Sequence, residues 1–219
     1  MFRNVRLLGH AAMIACVLRP LLAVAVAAAA MVIAPRATAD AGCVPGGPPP
    51  GAPTKDVGYI YGQPATLWIT DEDTVGITTA NGTGTAQIRT PSPIPQRALL
   101  VDAQQDGNHQ IIVDTGREAI LYAVSGCTVA PVVDQQGVEF RFDVGHRRGT
   151  GDGYGCGDLG DGPHLVGLLV MPDGRTWRRT EIDLNGATAT IGRSDTVPAT
   201  SDISCGGLTM ERDGLAAPF

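Results

Sequence analysis

Lysine is nearly missing from this chain: Lys55 is the only one among 219 residues. Aromatic residues make up 5% of the sequence, so the core has to be built from aliphatic side chains. No Gly-x-Ser-x-Gly elbow, Ser-x-x-Lys or His-Glu-x-x-His occurs, which removes the familiar serine-hydrolase and zincin signatures. Cys-x-x-Cys is absent too, and with it the thioredoxin-like and zinc-ribbon readings. The longest apolar run, 21–34, has 14 residues, short of the roughly 20 that span a bilayer, and Arg19 blocks its extension. Past residue 40 no stretch carries a helical period.

What is present begins with an address. Arg3, Arg6 and Arg19 precede the apolar run, and Ala37-Thr38-Ala39 supplies small residues for a signal peptidase, so 1–39 reads as a signal peptide. The expected localisation is secreted or cell envelope, without a membrane span after cleavage. A lipid on Cys43 is the weaker alternative, because Asp40-Ala41-Gly42-Cys43 puts an acid where a lipobox has Leu or Val. Cleavage leaves 12 basic against 22 acidic residues, a net charge of −10. Such a surface repels phosphates, which argues against nucleic-acid partners.

Four cysteines outlast the leader: Cys43, Cys127, Cys156 and Cys205. An even number in an exported chain implies two disulfides. Of the three connectivities, Cys127 with Cys156 and Cys43 with Cys205 is favoured, since the second would tie the domain's ends together.

Residues 40–55 read as an arm, with Pro45, Pro48, Pro49, Pro50 and Pro53 among glycines, extended and mobile unless Cys43 is bridged. From residue 56 onward short runs of Val, Ile, Leu and Thr alternate with Gly, Asp, Asn and Pro. Expected strands cover 58–61, 66–70, 76–79, 86–89, 98–101, 110–113, 118–124, 138–142, 164–170, 175–182 and 187–191. Three junctions are alike in placing an acidic turn after an apolar strand: Asp71-Glu72-Asp73, Asp114-Thr115-Gly116 and Pro172-Asp173-Gly174. A second echo links Asp102–Val113 with Asp158–Val166, each an aspartate-glycine loop running into an apolar strand. Strand repeats of this length indicate blades or an array, with units near 56–97, 98–155 and 156–212 of a single all-β domain.

The loop at Asp102, Gln104, Asp106, Gly107, Asn108 and Gln110 resembles the Asp-x-Asp-x-Asp-Gly-x-x-Asp loop of FG-GAP and VCBS-type repeats, found in exported β-propeller proteins and integrin heads. The similarity spans about residues 98–183. It implies propeller-like blades, about three of them, hence a partial propeller or a β-sandwich stapled by disulfides. Closed propellers need four to eight blades, so the arm and tail, a collapsed sandwich, or chain association must deal with the open edges.

The resemblance also implies calcium, which takes six to eight oxygens. Gln104 and Gln110 stand where the family has acids, so the expected site is weak, of millimolar affinity at best, and no other cofactor is expected. The Asp158–Asp161 loop is one residue short and reads as a plain turn.

His109, His146 and His164 are the histidines beyond the leader, and His109 and His164 fall at matching places in the two repeats. With Asp102 or Asp158 they would make a zinc or acid–base pair; packing is the plainer explanation. Trp68, Tyr59, Tyr61 and Trp177 are candidates to stack on sugar rings, with Trp68 read as core. Trp177, Arg178 and Arg179 form a basic spot expected as a partner contact. The expected function is a non-catalytic binding or structural β domain with a protein or glycan partner; the alternative is a secreted hydrolase using a His/Asp pair.

Overall fold

The computed structural model describes residues 42–145 and 153–218; the expected signal peptide and His146 lie outside the described residues. The chain is all-β, with two disulfides and three antiparallel sheets, none closed into a barrel. The first sheet is a meander of β1 (Thr54–Ile60), β2 (Gln63–Ile69), β3 (Thr74–Thr79) and β4 (Gly82–Gln87). In the second, β5 (Arg97–Val101), β6 (His109–Asp114), β7 (Glu118–Ser125) and β8 (Thr128–Pro131) follow one another, and β9 (Arg141–Asp143) pairs with β7. The third runs β10 (Gly153–Asp158), β11 (Pro163–Val170), β12 (Thr176–Asn185) and β13 (Thr188–Pro198). A single helical turn, α1 (Met210–Asp213), and β14 (Leu215–Ala216) finish the chain. Among the described residues no helix is long and apolar enough to cross a membrane.

The second sheet is the middle layer, and its sequence says why. Successive side chains of a strand point to opposite faces. Ala98, Leu100, Ile111, Val113, Ile120 and Tyr122 pack with Ile60, Leu67, Ile69 and Ile77 of the first sheet. The alternate residues Leu99, Val101, Ile112 and Leu121 pack with Cys156, Leu165 and Ile182 of the third. Strands buried on both faces need unbroken apolar runs, which is what Ala98–Val101, Ile111–Val113 and Ala119–Tyr122 provide.

The three acidic junctions are hairpin turns, joining β2 to β3, β6 to β7 and β11 to β12. Gly174 sits at φ 63°, with Asp173 accepting the amides of Arg175 and Thr176. The first unit has no glycine there, and Asp73 itself takes the left-handed conformation, φ 54°; aspartate tolerates it through local hydrogen bonding.

The arm and the tail each cover a sheet edge. Val44 exchanges backbone hydrogen bonds of 2.9 Å with Thr83 on the outer side of β4. At the other end Ile203 accepts the amide of Cys156 at 2.8 Å on β10, and β14 pairs with β5. An unpaired edge templates aggregation, so the arm and the tail serve to blunt it. The arm is therefore pinned.

The favoured disulfide pairing is corrected. The bridges are Cys43–Cys127 and Cys156–Cys205, with Cα atoms 5.6 and 4.9 Å apart. Cys156–Cys205 ties the tail to β10, whose edge it covers, and Cys43–Cys127 ties the arm to the turn between β7 and β8, so layer geometry rather than the chain's two ends decides the partners. Cys43 has its sulfur in a bridge, which leaves no thiol there for a lipid. Two expected strand positions also move: of residues 86–89 only Ala86 and Gln87 are strand, ending the β4 that starts at Gly82, and of 138–142 only Arg141 and Phe142 are strand, opening β9.

Candidate functional site

The hairpins between the first and second strands of the three sheets carry most of the chemistry-bearing residues: Tyr61-Gly62 in the first, Asp102–Asn108 in the second and Gly160–Gly162 in the third. The first two touch. Tyr61, at φ 49°, stands edge-on to His109 with ring centroids 6.0 Å apart. Its hydroxyl donates to the carbonyl of Val124 at 3.0 Å and lies 3.4 Å from Asn108 Oδ1. Gln104 crosses the other way, its Oε1 accepting the amide of Leu184 on β12 at 2.6 Å.

Within the middle loop the acids bind the loop's own backbone. Asp102 accepts the amides of Asp106 (3.1 Å) and Gly107 (2.9 Å), while Asp106 accepts both the amide and the side chain of Asn108. Gln110 is 3% exposed, and its amide spans Ala103 N and Asn108 O. Gly107 at φ 84° makes the sharp bend. Of the residues expected to share calcium, Gln104 reaches to β12 and Gln110 folds under the loop, so the structure gathers Asp102, Asp106 and Asn108 alone. The Asp158 loop is likewise a turn, with the carboxylate accepting the amides of Gly160 and Gly162.

Electrostatics follow from these bonds. Partial burial, then the carboxylates of Asp106 and Asp102, raise the Tyr61 phenol, which stays a donor at neutral pH. Desolvation pulls Asp106 upward, but hydrogen bonds from the side chain and backbone of Asn108 outweigh it and hold the carboxyl low. Backbone amides of Gly160 and Arg175 lower Asp158 and Asp173, and Arg179 lowers Asp195. Asp202 and Asp213 are lowered by the amides of Ser204 and Thr209.

For a group whose folded pKa lies below its unfolded value, stability is complete above the unfolded pKa and is lost as pH falls through the folded one. Aspartate's unfolded pKa is about 3.9. The thermal midpoint should therefore stay level from neutral pH to about pH 5 and fall steeply below about pH 4. Calorimetry across that range checks it; a midpoint that climbs on acidification would contradict it.

In the third sheet one face of β12 projects Trp177, Arg179, Glu181 and Asp183. Arg179 is 8% exposed, bonds Asp195 at 2.9 and 2.5 Å and reaches the carbonyl of Asp158. The expected contact at Trp177, Arg178 and Arg179 is thus divided. Arg178 is exposed on one face; Arg179 is neutralised and buried on the other. Trp177 is half-buried and walls a cleft of about 320 Å³ with Leu99, Ile112, Tyr154 and Met210. There the Tyr154 hydroxyl donates to Asp114 at 3.2 Å.

His164, Asp161, Glu181, Asp183 and Arg193 meet further along the same face. Ring nitrogens of His164 lie 3.5 Å from Asp161 and 3.2 Å from Asp183. Arg193 binds Asp161 and reaches Glu181 at 3.1 Å. His109 lies on the middle sheet beside Tyr61, so the two histidines paired in the sequence serve different loops. Glu181, Asp183 and Arg193 were missed, although the i, i+2 spacing of Arg179, Glu181 and Asp183 already places three charges on one strand face. A histidine between carboxylates can move protons, but among the described residues no hydroxyl or thiol is hydrogen-bonded to His164 as a nucleophile would be.

No family model, no curated protein and no solved structure matches this chain.

Proposed function

We propose that the chain acts outside the cytoplasm as a non-catalytic glycan-binding β domain, with its site where the β1–β2 turn meets the Asp102–Asn108 loop. One observation carries this reading: Tyr61 is held edge-on to His109, with its hydroxyl at Val124 and Asn108, beside the carboxylates of Asp102 and Asp106. A sugar ring offers a C–H face and a rim of hydroxyls. An aromatic face meets the first, and carboxylate and amide oxygens meet the second.

Exposure agrees, since Tyr59 is 71% and Tyr61 49% accessible. The left-handed Tyr61 is a further sign, because a large side chain tolerates that conformation only where the surroundings hold it. The leader and the two disulfides support an oxidising compartment. Successive four-stranded meanders stacked face to face are how neighbouring propeller blades pack, which supports the blade reading and its likeness to FG-GAP repeats.

The test is retention on polysaccharides of cell-envelope and plant origin, with the wild type against Tyr61→Ala. Binding should weaken roughly tenfold or more in the variant, as for an aromatic anchor, with the fold retained by circular dichroism and no cleavage of the bound glycan. A wild type that binds none of them, or a Tyr61→Ala protein that binds equally well, would overturn the proposal.

A further inference from the structure

We infer that Asp161, His164 and Glu181 form a binding site for a divalent transition metal of the zinc class, independent of the glycan patch and guarded by Arg193.

Three observations lead there. First, one ligand atom from each of the three side chains lies within 4.8 Å of the others, a spacing a single ion can bridge. The donors are one imidazole and two carboxylates. Imidazole favours zinc, copper, iron or nickel over calcium and magnesium, and three protein ligands leave room for water.

Second, His164 is held without being satisfied. Its Nδ1 is buried and has no hydrogen-bond partner, although Asp183 Oδ1 stands 3.2 Å away. The separation is short but the angle is wrong for donation. Its other nitrogen faces Asp161 at 3.5 Å. Coordination through Nε2, the nitrogen that faces Asp161, leaves Nδ1 facing Asp183, and such a carboxylate is what orients a metal-bound imidazole.

Third, Glu181 is 4% exposed, and a buried carboxylate needs a counter-ion. Arg193 fills that need by spanning Asp161 and Glu181. Its side chain is 46% exposed and stands on β13, the outer strand of the third sheet, so the guanidinium can swing into water when another cation arrives. Gly192 leaves the room: a Cβ there would crowd Glu181 and Asp183 at 3.0 to 3.2 Å.

Register makes the cluster. His164 is the second residue of β11, Glu181 and Asp183 lie on the paired stretch of β12, and Arg193 comes from β13. Asp161 comes from the turn before β11. Among the described residues all four cysteines are in disulfides, so none of them offers a thiolate to compete for the ion.

Titration calorimetry of the full disulfide-bonded protein with Zn²⁺ alone tests this, alongside His164→Gln, Asp183→Asn, Arg193→Gln and His109→Ala. The wild type should take one zinc per chain. His164→Gln should abolish binding, and Asp183→Asn should weaken it roughly tenfold or more, as outer-shell carboxylates do. Arg193→Gln, which removes the competing cation, should tighten it about fivefold or more. His109→Ala should bind as the wild type does.

Thermal midpoints in chelator establish that each variant folds. Should His164→Gln fail to fold, the wild-type His164 ring-proton NMR signal supplies the answer, since zinc must shift it and leave His109 in place. The proposal is overturned by a wild type and an Arg193→Gln protein that both ignore millimolar zinc. Zinc binding that survives His164→Gln, or a ring signal that zinc leaves unmoved, overturns it equally.

Discussion

Replacing Cys43 and Cys127 by serine is expected to lower the unfolding free energy by about 4.5 kcal/mol. The bridge closes a loop with a sequence separation of 84, and the entropy withheld from the unfolded chain grows with the logarithm of loop length. Cys156 and Cys205, separated by 49, should be worth about 4 kcal/mol by the same reasoning. Against a total stability of about 5 to 15 kcal/mol, either loss is large.

The first bridge also has a structural consequence beyond chain entropy. Cys43 precedes Val44, which pairs with Thr83 on the open side of β4. Close by, Gly84 lies so near the carbonyl of Cys127 that any Cβ there would land on its oxygen. Losing the bridge frees the arm and uncovers the β4 edge, so aggregation should accompany the loss of stability. Denaturant unfolding of the double serine variant measures the first effect and light scattering the second. A loss under about 1 kcal/mol would mean that the unfolded chain was never constrained as the loop-entropy argument requires. Peptide mapping without reduction should recover Cys43 with Cys127 and Cys156 with Cys205.

The cysteine pairs illustrate what could be read from the chain and what could not. That four cysteines make two bridges follows from their even number and the export expected from the sequence. Which ones pair depends on how sheets stack and where the tail returns, and no local pattern encodes either. Strands behave in the same way. The apolar runs around Ile111–Val113 and Ala119–Tyr122 and the acidic turns between strands are local signals, and the strands and hairpins lie there.

β10 was not legible, because Gly153, Gly155 and Gly157 make half of it and glycine argues against a strand. Its glycines answer to tertiary neighbours: a Cβ at Gly155 would strike Ile203, and one at Gly157 would strike the Arg179 guanidinium. Close approach of the tail and of a buried ion pair thus overrides propensity.

The candidate sites divide similarly. The Asp102 loop was legible as a hairpin turn because aspartate and glycine have fixed local uses there. That Gln104 leaves the loop for Leu184, and that Tyr61 arrives from another sheet, depends on neighbouring layers. Asp161 and His164 are close in sequence, but Glu181, Asp183 and Arg193 join them through strand pairing, which the chain reveals only once β11, β12 and β13 are in register.

Trp68→Ala should cost about 3 to 5 kcal/mol, the range for removing a large buried aromatic. Trp68 is 2% exposed and lies over Gly76 on the facing strand, where a Cβ would enter the indole ring. The pair is thus one packing unit, with glycine making the space the ring fills. The indole also opens a hydrogen-bond chain: Nε1 donates to Thr78 Oγ1 at 3.1 Å, Thr78 meets the Thr83 hydroxyl at 2.8 Å, and Thr83 donates to the carbonyl of Gly46 at 2.9 Å. Through that chain the core of the first sheet holds the arm. Trp68→Phe, which keeps an aromatic ring but loses the donor, should cost less, about 1 to 3 kcal/mol. A double-mutant cycle isolates the packing term. Gly76→Ala should destabilise the wild type by about 1 to 3 kcal/mol through overpacking and be close to neutral once Trp68 is alanine, because the clash has gone. Urea unfolding of the four proteins decides it: additive losses would show that the ring and the glycine do not share one space.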